Sequence, residues 1–120
     1  MDFKNILLTG ATGFAGKAIA TELKNSGFNV IEATSRSPAV VGPHARSFKL
    51  GKNIDTELFK SVDCVVHAAI DYKALADSEV ANRKINVRGS IELFKVAQKF
   101  GVPFIFISSA VLSPIAKLKV

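Results

Sequence analysis

The chain has 120 residues, of which 48% are hydrophobic and 22% charged, so it is long enough to bury a core as one globular domain. No apolar run reaches membrane-spanning length and the first residues lack the apolar core of a secretory signal, so the sequence predicts a cytoplasmic protein without membrane partners. The net charge of +6 comes from scattered basic residues without interleaved aromatics, which favours a solvated surface over nucleic-acid binding.

A glycine-rich turn follows the first predicted strand, Lys4 to Thr9. Its glycines, Gly10, Gly13 and Gly16, have the spacing G-x-x-G-x-x-G between that strand and a predicted helix. Gly10 would let the chain turn sharply, Gly13 would let backbone N–H groups approach a pyrophosphate, and Gly16 would let the helix lie close to the strand. The unpaired N–H groups of a helix N-terminus attract anions. This context predicts a dinucleotide-binding turn, with an ordinary glycine-rich connection as the alternative.

The first helix and the second strand come next along the chain. The helix is predicted over Gly13 to Asn25, and Gly27 supplies its stop. Its apolar positions at helical spacing are Ala15, Ala18, Ile19 and Leu23. The second strand is predicted over Phe28 to Thr34.

The end of this second strand bears on the choice of cofactor. In a dinucleotide fold it meets the adenosine ribose, where an acidic residue binds the ribose hydroxyls and an arginine can bind a 2′-phosphate. Arg36 stands at this end, whereas Glu32 lies too early in the strand to reach the ribose. The sequence therefore favours NADP over NAD, with a solvent-facing loop arginine as the alternative.

A loop, a short third strand and a brief helix follow before the centre of the chain. The strand is predicted over Arg46 to Leu50, and Asp55 is placed to cap the helix. The side chains expected on its buried side are Leu58, Phe59 and Val62.

The fourth strand is predicted over Asp63 to Ala69. Its Cys64 is the only cysteine, and in an apolar run it is expected to be a small buried hydrophobe rather than a nucleophile. His67 is expected to be structural, because no second ligand stands at metal spacing. The small residues Ala68 and Ala69 fall where the strand end would approach a bound cofactor.

The last predicted elements are a long helix over Asp77 to Phe100, stopped by Gly101, and a fifth strand over Phe104 to Ser109. One apolar stripe of the helix contains Val87, Ile91 and Phe94, and beside it lie Ser90, Leu93 and Ala97. Strand five ends in two hydroxyls, those of Ser108 and Ser109, at the sheet edge where chemistry gathers in parallel sheets. Alternating strands and helices predict a parallel α/β sheet of five strands in the order 3-2-1-4-5.

Five blocks of this sequence together resemble the N-terminal half of an extended short-chain dehydrogenase/reductase, and most of all the NAD(P)-dependent epimerase/dehydratase family. The blocks are Thr9 to Gly16, Arg36, Val65 to Ala69, Asn86 to Ser90 and Phe104 to Ser109. The resemblance implies a Rossmann-like, doubly wound sheet in which residues 1–120 form an NAD(P)-binding domain. It also implies an enzyme that moves a hydride at a carbinol or carbonyl of a small-molecule substrate, nucleotide sugars included.

The resemblance also implies roles for matching residues. Those expected to bind the cofactor are Gly10, Thr12, Gly13, Phe14, Ala15, Gly16, Arg36, Ala68, Ala69 and Asn86. Within this set, Arg36 would select the 2′-phosphate, the two alanines would line the nicotinamide ribose, and Asn86 resembles the helix asparagine that supports the active site. Ser109 aligns with a serine that binds substrate near the reacting carbon, and is the expected catalytic residue.

Several departures from the family pattern leave activity open. The family's Tyr-x-x-x-Lys pair follows strand five, beyond the end of this sequence, and Tyr72 is followed by Ala76 rather than lysine at the fourth position. Lys49 stands near a position where relatives often have an aspartate against the adenine. The C-terminal substrate region is expected to be absent, so a non-catalytic dinucleotide-sensing or interaction protein is the alternative. A strand five that is apolar on both faces further predicts a partner for this edge, either further sequence of the natural protein or a second copy of the chain in a homo-oligomer.

Overall fold

A computed structural model describes residues 3–36 and 41–107. In this part of the chain the strands form one parallel sheet with the order β3-β2-β1-β4-β5, which confirms the predicted order. The strands are β1 (Asn5–Thr9), β2 (Asn29–Thr34), β3 (Ala45–Ser47), β4 (Cys64–His67) and β5 (Phe104–Phe106). Because β1 lies between β2 and β4, the glycine turn that follows it opens at the middle of the sheet.

The helices pack on the two faces of this sheet. They are α1 (Phe14–Asn25), a 3-10 helix (Thr56–Phe59), α2 (Tyr72–Asp77), α3 (Glu79–Asn82), a π-helical turn (Arg83–Val87) and α4 (Arg88–Lys99). As predicted, the Asp55 side chain caps the 3-10 helix by accepting a hydrogen bond from the Glu57 N–H at 3.0 Å. None of the helices in the described residues is both long and apolar enough to cross a membrane.

The predicted helix over Asp77 to Phe100 is present as one helical run from Glu79 to Lys99, which includes the π-helical turn, and only its start differs from the prediction. Ser78 is extended, with φ of −163°, so the chain breaks between α2 and α3. The Ser78 hydroxyl then caps α3 by accepting a hydrogen bond from the Ala81 N–H at 3.0 Å. This serine cap sets the start of the helical run at Glu79, and Asp77 is the last residue of the preceding α2.

Two hydrophobic clusters fill the space on either side of the sheet. One cluster contains Leu7, Ala33, Phe48, Leu50, Leu58, Phe59, Val62, Val65, Leu93 and Ala97. The other contains Ile6, Leu8, Ala11, Ala20, Val30, Cys64 and Val66. Adjacent residues of β1 therefore enter opposite clusters, as expected for a central parallel strand covered on both faces.

Burial on the two long helices differs from the sequence pattern. On α1 the buried residues are Gly16 and Ala20, whereas Ala15 and Ala18 are exposed, because Gly16 faces the glycine turn. On α4 the buried residues are Gly89, Leu93 and Ala97. The other predicted stripe, Val87, Ile91 and Phe94, is 45–46% exposed.

The strand ends are also shorter than predicted. β3 begins at Ala45 and ends at Ser47, although Phe48 and Leu50 beyond it remain buried. β4 ends at His67, so Ala68 and Ala69 belong to the segment that leaves the sheet. β5 is observed over Phe104–Phe106, and the two serines predicted at its end lie outside the described residues.

Candidate dinucleotide-binding site

The glycine turn between β1 and α1 is closed by backbone contacts. Gly10 has φ of +69°, a left-handed conformation that glycine adopts without strain. The Gly13 N–H donates to the Gly10 carbonyl at 3.0 Å and so closes the turn. A Cβ on Gly10 would lie 2.7 Å from backbone atoms of Ala68 and Ala69. The turn can therefore pack directly on the segment that follows β4.

Gly16 brings α1 against this turn. A Cβ at Gly16 would lie 1.8 Å from the Gly10 carbonyl oxygen, whereas a Cβ at Gly13 would lie 3.3 Å from the same atom. The close approach predicted for Gly16 is present, but its partner is the turn rather than the strand. Gly13 is far less restricted by the protein itself.

A cavity of about 490 Å³ opens at this turn, at the carboxyl ends of the central strands. It is lined by eight of the predicted cofactor-binding residues: Gly10, Thr12, Gly13, Phe14, Ala15, Gly16, Ala68 and Ala69. The remaining lining residues are Ala33, Thr34, Ser35, Phe48, Leu50, Ile70, Tyr72 and Ile107. The fold thus brings the glycine turn and the two alanines to one cavity.

The N-terminus of α1 presents hydrogen-bond donors to this cavity. Gly13 is the N-cap, no side chain caps the helix, and its first turn contains no acidic residue. The N–H groups of a first helical turn have no partner within the helix and carry the positive end of its dipole. Gly13, Ala15 and Gly16 add little bulk beside these donors, so a phosphate can approach them.

The part of the cavity wall formed by Ala68 and Ala69 is held by the Thr9 hydroxyl. The Thr9 Oγ1 accepts hydrogen bonds from the N–H groups of Ala68 at 3.1 Å and Ala69 at 3.2 Å. The same oxygen lies 2.6 Å from Nδ1 of His67, and Nε2 of that ring lies 2.7 Å from the Ser90 Oγ. Burial lowers the pKa of His67 to about 4. Both ring nitrogens lie within hydrogen-bond distance of hydroxyl oxygens, which favours a structural role. Within residues 3–36 and 41–107 no cluster of potential metal ligands is found.

Asn86 holds the same wall from the π-helical turn. Its Oδ1 accepts from the Asp71 N–H at 2.7 Å, and its Nδ2 donates to the Asp71 carbonyl at 3.0 Å and to Asn82 Oδ1 at 2.8 Å. Asp71 in turn caps α2 by accepting from the Ala74 N–H at 2.9 Å. Asn86 therefore supports the segment that lines the cavity, and does not itself line it.

Arg36 is exposed and lines a different cavity, of about 410 Å³, together with Lys17 and Lys24. Thr12 lines both cavities, so the two adjoin at the glycine turn. Glu32 also lines the second cavity, where its carboxylate forms an ion pair with Lys24.

Ser109, the expected catalytic residue, lies outside the described residues. The sequence interpretation did not include Phe48, Leu50, Ile70 and Tyr72 in the site, although all line the larger cavity. Two of these follow β3 and two follow β4, so the rule that ligands bind beyond the carboxyl ends of parallel strands could have found them.

The order of the strands, the glycine turn and the cavity at its mouth define a Rossmann-type dinucleotide-binding fold. The chain belongs to the NAD dependent epimerase/dehydratase family, whose family model matches residues 6–117.

Similar proteins include enzymes with different substrates. The chain is 35% identical over 115 residues to the UDP-glucose 4-epimerase of Vibrio cholerae, covering 88% of this chain and 35% of the relative. A crystal structure of the UDP-glucose-4-epimerase of Stenotrophomonas maltophila with bound NAD and formylated UDP-arabinopyranose is 25% identical. Its TM-score is 0.74, with 91% of this chain and 38% of that chain covered. The L-threonine dehydrogenase of Clostridium difficile is 26% identical, with a TM-score of 0.71 and coverage of 91% and 37%. The chain thus spans a little over a third of the length of these proteins.

Proposed function

We propose that this chain is the nicotinamide-dinucleotide-binding part of an enzyme that moves a hydride at a carbinol or carbonyl carbon, with residues 1–120 forming one NAD(P)-binding domain. The observation that carries the proposal is the uncapped N-terminus of α1, which meets a cavity walled by Ala68 and Ala69. The bound NAD of the Stenotrophomonas epimerase supports it.

The residues present fit such a cofactor. Gly13 and the first turn of α1 would bind the pyrophosphate through backbone N–H groups, because no capping side chain competes for them. The two alanines have no bulk beyond Cβ, so a nicotinamide ribose could lie against them. When bound, the cofactor would supply the site that accepts or donates hydride. The chain's own residues would orient it and exclude water.

For the substrate we propose a class of compound rather than a single molecule. The Vibrio and Stenotrophomonas relatives are UDP-glucose 4-epimerases, whereas the Clostridium relative is an L-threonine dehydrogenase. We propose a nucleotide sugar as substrate, with Ser109 as a catalytic residue that contacts it.

The experiment that tests the cofactor assignment is a calorimetric titration of the purified protein with NAD, NADH, NADP and NADPH. We expect saturable binding of at least one of the four. A folded sample that binds none of them at millimolar concentration would overturn the proposal.

Arg36 leads to a finer proposal, that the 2′-phosphate of NADP binds in the second cavity. Lys17, Lys24 and Arg36 line this cavity, and a guanidinium can contact two phosphate oxygens at once. Glu32 is an acidic residue in the same cavity, but its charge is compensated by Lys24. The NAD bound by the Stenotrophomonas enzyme lacks this phosphate, so both nucleotides have to be compared.

Arg36→Ala is expected to weaken NADP binding by about 1 to 3 kcal/mol, or roughly fivefold to 150-fold, while leaving NAD binding nearly unchanged. The measurement is the affinity for each nucleotide in the variant and in the wild type. Lys52→Ala removes one exposed positive charge outside both cavities and serves as the control. Equal losses for NADP and NAD would reject the role of Arg36.

We further propose that a second copy of the chain covers the exposed apolar face of α4. Val87, Ile91 and Phe94 lie on this face, and Phe106 of β5 is 56% exposed. Apolar patches of this kind are uncommon on monomeric proteins. Light scattering at micromolar concentration should give twice the mass of the chain or more, and the mass of a single chain would contradict the proposal.

A further inference from the structure

A buried hydrogen-bonded relay connects the cavity wall to α4. Thr9 and His67 are both fully buried, and Ser90 on α4 is half-buried. His67 lies between the two hydroxyls, with its Nδ1 2.6 Å from the Thr9 Oγ1 and its Nε2 2.7 Å from the Ser90 Oγ. The Thr9 hydroxyl also contacts the N–H groups of Ala68 and Ala69, which line the cavity.

Counting donors fixes the direction of the bond between Thr9 and His67. A hydroxyl has one proton to donate and two lone pairs that accept, and a backbone N–H can only donate. The N–H groups of Ala68 and Ala69 use both lone pairs of the Thr9 Oγ1. The Thr9 hydroxyl proton is therefore donated to His67 Nδ1, which must be unprotonated.

The opposite tautomer does not satisfy these groups. The Ala68 N–H also lies 3.3 Å from the Thr9 carbonyl, so it could release one lone pair of the hydroxyl. A proton on Nδ1 would then point at the Thr9 oxygen. The Thr9 hydroxyl proton would be left in a buried site without an acceptor, which is unfavourable.

The surroundings of His67 keep its ring neutral and in place. The ring lies 5.8 Å from that of Phe104 and 5.5 Å from that of Phe106, measured between centroids. Burial lowers the pKa of His67 to about 4, so the ring carries a single proton at neutral pH. With Nδ1 as the acceptor, that proton is on Nε2 and is donated to Ser90.

We propose that His67, as the Nε2–H tautomer, is a positioning residue for the dinucleotide. It orients the Thr9 hydroxyl so that this oxygen holds the backbone of Ala68 and Ala69 at the distance that the bound cofactor requires. The inference rests on the proposed function for its ligand. The tautomer and the state of the wall can be measured without any ligand.

The tautomer is tested by a long-range ¹H–¹⁵N spectrum at pH 7. The sequence contains two histidines, and His44 is exposed, so His44→Asn leaves the His67 ring as the single source of imidazole signals. We expect a protonated Nε2 and an unprotonated Nδ1. A protonated Nδ1 would overturn the proposal.

The coupling to the cavity wall is tested with paired variants at both ends of the bond. Thr9→Val should weaken dinucleotide binding by about fivefold to tenfold and speed amide hydrogen exchange at Ala69. Thr9→Ser should restore both the affinity and the exchange rate. His67→Asn keeps an oxygen acceptor near the position of Nδ1, whereas His67→Gln places its amide near Nε2. We expect the Asn variant to be the closer of the two to the wild type.

Each result decides the proposal. Equal losses of Ala69 protection in His67→Asn and His67→Gln, or unchanged protection in Thr9→Val, would overturn it. If the wild type binds no dinucleotide, the proposed function fails, and the relay is then judged by the tautomer and by Ala69 exchange alone. If the variants at Thr9 and His67 do not fold, the proposal is decided by the His67 ring spectrum of the His44→Asn protein.

Discussion

Replacing Gly16 with alanine is expected to lower the free energy of unfolding by about 3 kcal/mol or more. The added Cβ would lie 1.8 Å from the Gly10 carbonyl oxygen and 2.6 Å from its carbonyl carbon. These are backbone atoms, so no side-chain rotation can relieve the overlap, and α1 must move away from the turn. Urea-induced unfolding of the variant and the wild type measures the loss.

Gly13→Ala is the matched control for this expectation. Its Cβ would lie 3.3 Å from the same Gly10 oxygen, a distance that a shift of a few tenths of an ångström relieves. We expect a loss of stability below about 1 kcal/mol. Equal losses for the two substitutions would show that the contact between α1 and the turn does not limit stability.

Gly13→Val is expected to reduce dinucleotide affinity at least about a hundredfold in a protein that still folds. Gly13 has φ of −77° and ψ of 174°, an extended conformation that valine adopts readily. Because Gly13 lines the cavity at the N-terminus of α1, the valine side chain would fill space in front of the first-turn N–H groups. Calorimetry on the folded variant measures the effect.

Ala18→Val also places a valine side chain on α1, but on its exposed face and away from both cavities, and should leave affinity unchanged. If the Gly13→Val protein folds and keeps wild-type affinity, the phosphates do not bind at this turn. A loss in both variants would point to a general effect on α1 instead.

Much of the fold could be predicted because several signals in the sequence agree. Apolar runs such as that of β1 alternate with helical patterns, which restricts the sheet to parallel pairing with crossovers. Gly10 and Gly16 mark a turn where the backbone needs space, and the structure brings the backbones of Ala68 and Ala69 to it. The predicted strand ends and strand order together predict the position of the cavity.

Other features depend on contacts between elements that no local pattern reports. The two stripes of α4 are both apolar, so the contact of Leu93 with the sheet, and the exposure of Ile91, were decided by packing. The π-helical turn around Asn86 forms where this side chain contacts the backbone of Asp71, 15 residues earlier. The relay through His67 joins three separate elements, and its residues have no motif spacing.

The position of β1 between β2 and β4 has a consequence for how the protein is synthesised and folds. Asn5 contacts Asn29 after 24 residues, but Thr9 meets His67 only after 58, and closing the longer loop costs more chain entropy. The glycine turn therefore leaves the ribosome well before the segment that completes its wall. The cavity is complete only once β4 has docked, so a dinucleotide that binds there as proposed would, if present during translation, stabilise the assembled sheet over its precursors.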